Sequence, residues 1–156
     1  MKSSKVLVLS AAIGVLAGLR SFTPPAVLSH AARRRCLRSR KNPLKLLATS
    51  KVANTLTSMA TGELVADKLP STPSRLTPGP LAARILSGAV CGAALCASVS
   101  EPMGEGAIAG AVGALAGSFA GYHLRQMMDK SMPDIAAALI EDFVAVGGSV
   151  AVVSQF

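Results

Sequence analysis

Apolar and small residues gather into long windows along this chain. Ala82 to Val99, Gly106 to Leu124 and Ile135 to Val153 are almost free of charge. Each approaches the roughly 20 residues an α-helix needs to cross a bilayer, and none alternates strictly as a barrel strand does. The pattern predicts three transmembrane helices, at 82–100, 106–124 and 135–153. An earlier window, Val6 to Leu19, is shorter and runs into Arg20-Ser21-Phe22-Thr23-Pro24-Pro25 before the chain turns apolar again at Ala26. Two adjacent prolines cannot donate the hydrogen bonds of a continuing helix. Residues 6–32 are therefore expected to form a broken or re-entrant helix pair, with the break at Pro24 and Pro25. The stretch 46–69 carries Lys51, Asn54, Glu63, Asp67 and Lys68, and reads as a polar helix that cannot face lipid. The expected fold class is all-α: a polytopic membrane helix bundle, one integral membrane domain over 1–156.

Composition sharpens this. The 156 residues are 51% hydrophobic and only 15% charged, with a mean hydropathy of +0.49. So few charges cannot clothe a globule in water, which argues against a soluble enzyme, and so many apolar residues exclude disorder. Lys2 and Lys5 ahead of a short apolar core also resemble a signal peptide, but no small-x-small cleavage site closes the window.

Charge placement suggests a topology. Of 16 Lys and Arg, seven fall at Arg33, Arg34, Arg35, Arg38, Arg40, Lys41 and Lys45, and the positive-inside rule assigns such a run to the cytoplasm. Lys2 and Lys5 want the same side, as they would if 6–32 dips into the membrane and returns. If 46–69 returns too, Lys68, Arg75 and Arg84 stay cytoplasmic, Ser100 to Glu105 lies outside, Arg125 and Lys130 come back inside, and the chain ends outside. The expected location is the cytoplasmic (inner) membrane. Arg33, Arg34, Arg35, Arg38, Arg40 and Lys41 then face anionic lipid headgroups. Beside membrane segments, that reading is preferred to nucleic acid.

The carboxylates carry the candidate chemistry. Glu63 and Asp67 are four apart and share a helix face, while Glu141 and Asp142 interrupt an apolar run. Ionisable groups within a membrane are costly unless paired, hydrated or protonated, which makes them functional candidates. Arg20 stands beside the helix break, where freed backbone groups can bind a ligand. The candidate substrate or ion site is Arg20, Glu63, Asp67, Lys68, Glu141 and Asp142. The plainer alternative is that Arg20 and Lys68 neutralise the acids and lock the segments together.

Gly14 and Gly18, Gly88 and Gly92, and Gly113, Gly117 and Gly121 are spaced by four, which permits close helix packing. Packing within one subunit is preferred, and a homo-oligomer face is the alternative. Cys36, Cys91 and Cys96 lack a C-x-x-C pair, and His30 and His123 stand apart, so neither a metal site nor any cofactor is expected. Gly104 to Ala109 formally matches G-x-G-x-x-A, but no strand precedes it.

Three stretches bear a family likeness. Gly18-Leu-Arg-Ser-Phe-Thr-Pro-Pro25, Glu63-Leu-Val-Ala-Asp-Lys-Leu-Pro70 and Leu139-Ile-Glu-Asp-Phe-Val144 resemble, in order and spacing, the signature segments of an uncharacterised family of bacterial multi-pass membrane proteins, domain of unknown function 4126. The resemblance runs from about residue 10 to 153. It implies an integral membrane protein and carries no activity. Two functional readings remain. The preferred one is a small transporter or channel-like carrier with a buried Arg/carboxylate site. The other is a non-transporting scaffold or anionic-lipid-binding protein whose buried charges are structural. An enzyme is disfavoured, since no nucleophile or metal set supports one.

Overall fold

The computed structural model describes residues 3–34, 37, 44–66, 77–128 and 134–156. The described residues are all helical or in turns, with no strand among them. In chain order the helices are α1 (Ser3–Leu19), α2 (Thr23–Arg33), α3 (Leu44–Leu47), α4 (Ser50–Ala66), α5 (Pro78–Ser98), α6 (Met103–Met128) and α7 (Asp134–Val153). α5, α6 and α7 are each long and apolar enough to cross a membrane.

Small residues decide which helices meet. Gly14 and Gly18 of α1 abut the backbone of α6 around Gly110 and Ser118, and Gly88 and Gly92 of α5 abut Gly110 and Gly106. A Cβ added at Gly18 would lie 2.6 Å from the Ser118 amide nitrogen, and one at Gly88 would lie 2.8 Å from Ala114 Cβ. Only hydrogen side chains allow this approach. The spacing-by-four glycines thus pack α1, α5 and α6 against one another within the chain. Gly106 and Gly110 complete the set, although the sequence reading did not single them out.

Side-chain contacts fix the directions. Ser10 Oγ on α1 donates to the Gly92 carbonyl at 3.3 Å, while Ser87 Oγ on α5 donates to the Ser21 carbonyl at 2.5 Å, so α5 is antiparallel to α1. α6 is parallel to α1. α7 is antiparallel to it, with Gln155 accepting from Lys5 at 3.3 Å, Gly148 against Leu16, and Asp142 beside Arg20. α2 turns back from the break: Ser29 Oγ bonds the Leu47 carbonyl, His30 meets Thr57, and Arg34 shares a groove wall with Val153 and Ser154. α4 climbs the other way, from Leu47 to Glu63 at the break.

This corrects the expected topology in one respect. Residues 50–66 do not return to the end they leave but climb from the basic end to just past the level of the break. The turn after Ser98 and the end of α7 therefore share an end with Lys5, Arg33, Arg34 and Lys45, instead of lying opposite. Against the expectation that this stretch is withdrawn, most of α4 is exposed, Lys51, Asn54, Thr55, Ser58 and Thr61 included; only Ala53 and Ala60 are buried, and Thr57 and Glu63 find partners on α2 or the break. The Lys2 end, Arg35, Arg38, Arg40 and Lys41 lie outside the described residues.

The outward faces of α1, α5, α6 and α7 are largely apolar. Val8, Leu86, Ile108 and Phe143 are among the large exposed side chains, whereas Ser10, Arg20, Ser29, Arg84, Ser118 and Ser149 are buried. Polar inside and apolar outside is the distribution a lipid solvent selects.

Candidate functional site

The break between α1 and α2 occupies Arg20 to Phe22. α1 makes its last helical bond from Arg20 N–H to the Leu16 carbonyl at 2.9 Å, and α2 makes its first from Ala26 N–H to the Phe22 carbonyl at 3.1 Å. Pro24 and Pro25 fall in the first turn of α2. There their missing N–H groups cost nothing, because first-turn donors have no intrahelical acceptor. The prolines therefore start α2, and the break precedes them, since neither can donate to Arg20 or Ser21.

This turn is deep in the bundle. Ser87, which bonds Ser21, lies nine residues into α5, and Asp142, which meets Arg20, lies eight into α7. At 1.5 Å per residue, the break sits about 12–13 Å below the ends of those helices. Backbone groups left open at such depth need protein partners. Glu63 supplies them from α4: Oε1 accepts the Ser21 N–H at 2.8 Å and Oε2 the Phe22 N–H at 3.0 Å. One carboxylate thus takes two orphan donors at the start of α2, where the helix dipole favours negative charge. Ser87 serves the Ser21 carbonyl from the other side.

The charges close on one another. Arg20 is 1% exposed, and its Nη2 lies 2.5 Å from Asp142 Oδ1. Glu141 turns to a different partner, with Oε2 3.4 Å from Nη1 of Arg125 on α6. Beside it lies a small recess of about 60 Å³ lined by Leu19, Ile140 and Val144. Arg84, one turn before Ser87 on α5, is also buried. Of the sequence candidates, Arg20, Glu63 and Asp142 gather at the break, Glu141 stands next to them on Arg125, and Asp67 and Lys68 lie outside the described residues. No group of three metal-ligating side chains occurs among the described residues.

Sequence reasoning missed three members. Arg84 was read only as a cytoplasmic charge at the start of the 82–100 span, whereas it lies six residues into α5 and is buried. Arg125 gave no sign of a specific partner. Thr23 is 4% exposed, and its hydroxyl has no hydrogen-bond partner among the described residues. It lines the larger opening of the molecule, a groove of about 500 Å³ with α2 as floor and α4 and α7 as walls. That groove passes neither Arg20, Glu63, Glu141 nor Asp142.

The family model described as "Domain of unknown function (DUF4126)" matches residues 7–155. The chain belongs to this family. The DUF4126 match embraces the break, α4 and α7, and with them every acid and base of the site. Together with the three span-length apolar helices, it marks an integral membrane protein. No curated protein and no solved structure matched the chain.

Proposed function

We propose that this DUF4126 chain is a non-transporting membrane protein, in which the buried charges hold a re-entrant α1–α2 hairpin shut and the basic end meets anionic lipid at the cytoplasmic surface. The observation that carries the reading is the closure of the break. Each acid described there already serves a partner in the chain: Asp142 on Arg20, Glu63 on two backbone amides, Glu141 on Arg125. Buried ion pairs of this kind fix geometry without requiring a ligand. Arg33, Arg34, Lys45 and Lys51 at the other end, with the seven-base run of the sequence, fit the cytoplasmic leaflet of an inner membrane. In that orientation the break lies in the outer half of the bilayer, and both described chain ends are cytoplasmic.

The carrier reading retains one observation in its favour, the buried Thr23 hydroxyl, which has no hydrogen-bond partner among the described residues. Proteoliposomes separate the two. Protein in phosphatidylcholine/phosphatidylglycerol vesicles, under a pH gradient with a lumenal pH dye, is expected to leak protons no faster than protein-free vesicles. A wild-type flux that Glu141→Gln or Asp67→Asn abolishes, while folding and insertion persist, would establish the carrier instead.

A further inference from the structure

A groove runs over α2, between α4 and α7. Its volume is about 500 Å³, and its floor follows α2 from Thr23 at the break to Arg34 at the basic end. The 11 residues of α2 give it a length of about 16 Å. Val27 lies on the floor and Val150 on the α7 wall, while Thr57 of α4 meets His30 at 2.9 Å across one edge. Its charge lies at one end. Apolar side chains interrupted by Thr23, Thr57 and Thr61 line the interior, and His30, Arg34 and Ser154 collect where the groove reaches the basic end. Arg33 and Arg34 are exposed there, with Lys45 on the neighbouring α3 also exposed.

We propose that this groove binds one anionic phospholipid of the surrounding bilayer, its acyl chain lying along α2 and its phosphate at Arg34 and His30. The inference rests on the cytoplasmic placement of the basic end proposed above. The argument for a lipid is complementarity in both chemistry and direction. An amphiphile standing in the cytoplasmic leaflet has its anionic group at the surface and its chain pointing inward, as the groove has its bases and its valines. Basic pockets between membrane helices on the cytoplasmic side recognise anionic headgroups in this way. A polar solute would leave Val27 and Val150 without an apolar partner. The deep end at Thr23 is where the chain terminus would reach, so the lipid makes no demand on that hydroxyl.

The test is photo-crosslinking. The full chain is placed in phosphatidylcholine nanodiscs containing phosphatidylglycerol with a diazirine in one acyl chain, and adducts are mapped by peptide mass spectrometry. Adducts are expected to concentrate on Val27, Thr57 and Val150, and to be weaker there with a phosphatidylcholine probe bearing the same chain. Val150→Trp fills the groove from a half-exposed position. With the acyl chain sterically excluded, groove adducts at Val27 and Thr57 are expected to fall to the level seen at outward residues such as Ile108. Arg34→Gln should reduce labelling by phosphatidylglycerol toward that by phosphatidylcholine, while Thr23→Val should leave both unchanged. Size-exclusion profiles confirm that each variant remains folded, and if Val150→Trp fails to fold, Ala31→Phe fills the same groove.

Three results would overturn the proposal. Adducts spread evenly over outward residues such as Ile108 and Phe143 would mean ordinary annular lipid. Labelling that falls in Arg34→Gln but survives Val150→Trp would mean headgroup attraction at the basic end alone, which removes the groove and leaves the proposed function standing. Loss of labelling in Thr23→Val would point to a polar group bound at the break. A transport activity in the vesicle assay would instead remove the proposed function, whatever the adduct map shows.

Discussion

The two halves of this molecule are built on opposite packing rules. On one side α1, α5 and α6 approach until glycine backbones touch, and Ala94, Cys91 and Ala114 are wholly enclosed between them. On the other, α2, α4 and α7 stand apart around a groove of about 500 Å³, and α4 buries only Ala53 and Ala60. Lipid tails are as apolar as leucine, so burying apolar surface does not drive helices together in a membrane. Close contact and satisfied polar groups do. The glycine side uses the first of these. The open side uses the second, through Glu63 on the break, Asp142 on Arg20 and Thr57 on His30.

This contrast can be broken most forcefully at the pair that joins the two halves. Arg20→Met or Asp142→Leu alone leaves a buried charge without its partner, and is expected to destabilise the fold by about 3–5 kcal/mol. The double variant should recover most of that loss, as read by denaturant titration in detergent. A double variant as damaged as either single one would show that the pair does more than hold α7 to α1.

The glycine side should be nearly as sensitive to one added branch. Gly110→Val drives a side chain into the Gly88 backbone, which cannot swing aside. A loss of about 3 kcal/mol is expected, seen as a lowered melting temperature. A matching branch at Gly62, which faces open space, should change stability little. Equal sensitivity at the two glycines would erase the distinction between the halves.

The smallest effect is expected at the groove floor. Thr23→Val removes a buried hydroxyl that has no hydrogen-bond partner among the described residues while keeping the side-chain shape. Because an unsatisfied buried donor carries a desolvation penalty, the variant should be unchanged or more stable by up to about 1 kcal/mol in thermal unfolding. A clear destabilisation would identify a polar partner for that hydroxyl.

How far the sequence foretold these features depends on whether each is local. The apolar runs that became α5, α6 and α7 are local, and they were legible within a few residues. So was the interruption near Arg20, because two prolines and a base in an apolar stretch admit few readings. Glu63 and Asp142 were recognisable as buried acids from the cost of placing charge among apolar neighbours. Their partners were not recognisable. Arg20 meets an acid on the last helix and Glu63 meets backbone amides, and neither relation leaves a periodic trace. The course of α4 was hidden for a similar reason. Its polarity suggested withdrawal from lipid, whereas it keeps most of its polar side chains exposed and is tied to its neighbours at Thr57 and Glu63. The groove depends on how far α4 and α7 stand apart, a distance no residue pattern encodes.

The depth of the Arg20 turn also bears on how the protein is made. Glu63 leaves the ribosome 43 residues after Arg20, and Asp142 leaves it 122 residues after. At about 5–20 residues per second, the arginine waits roughly 6–24 s for its counter-charge. During that interval Asp142 is not yet there to meet the cation, so the final seat of the α1–α2 turn is completed only when the last helix is delivered.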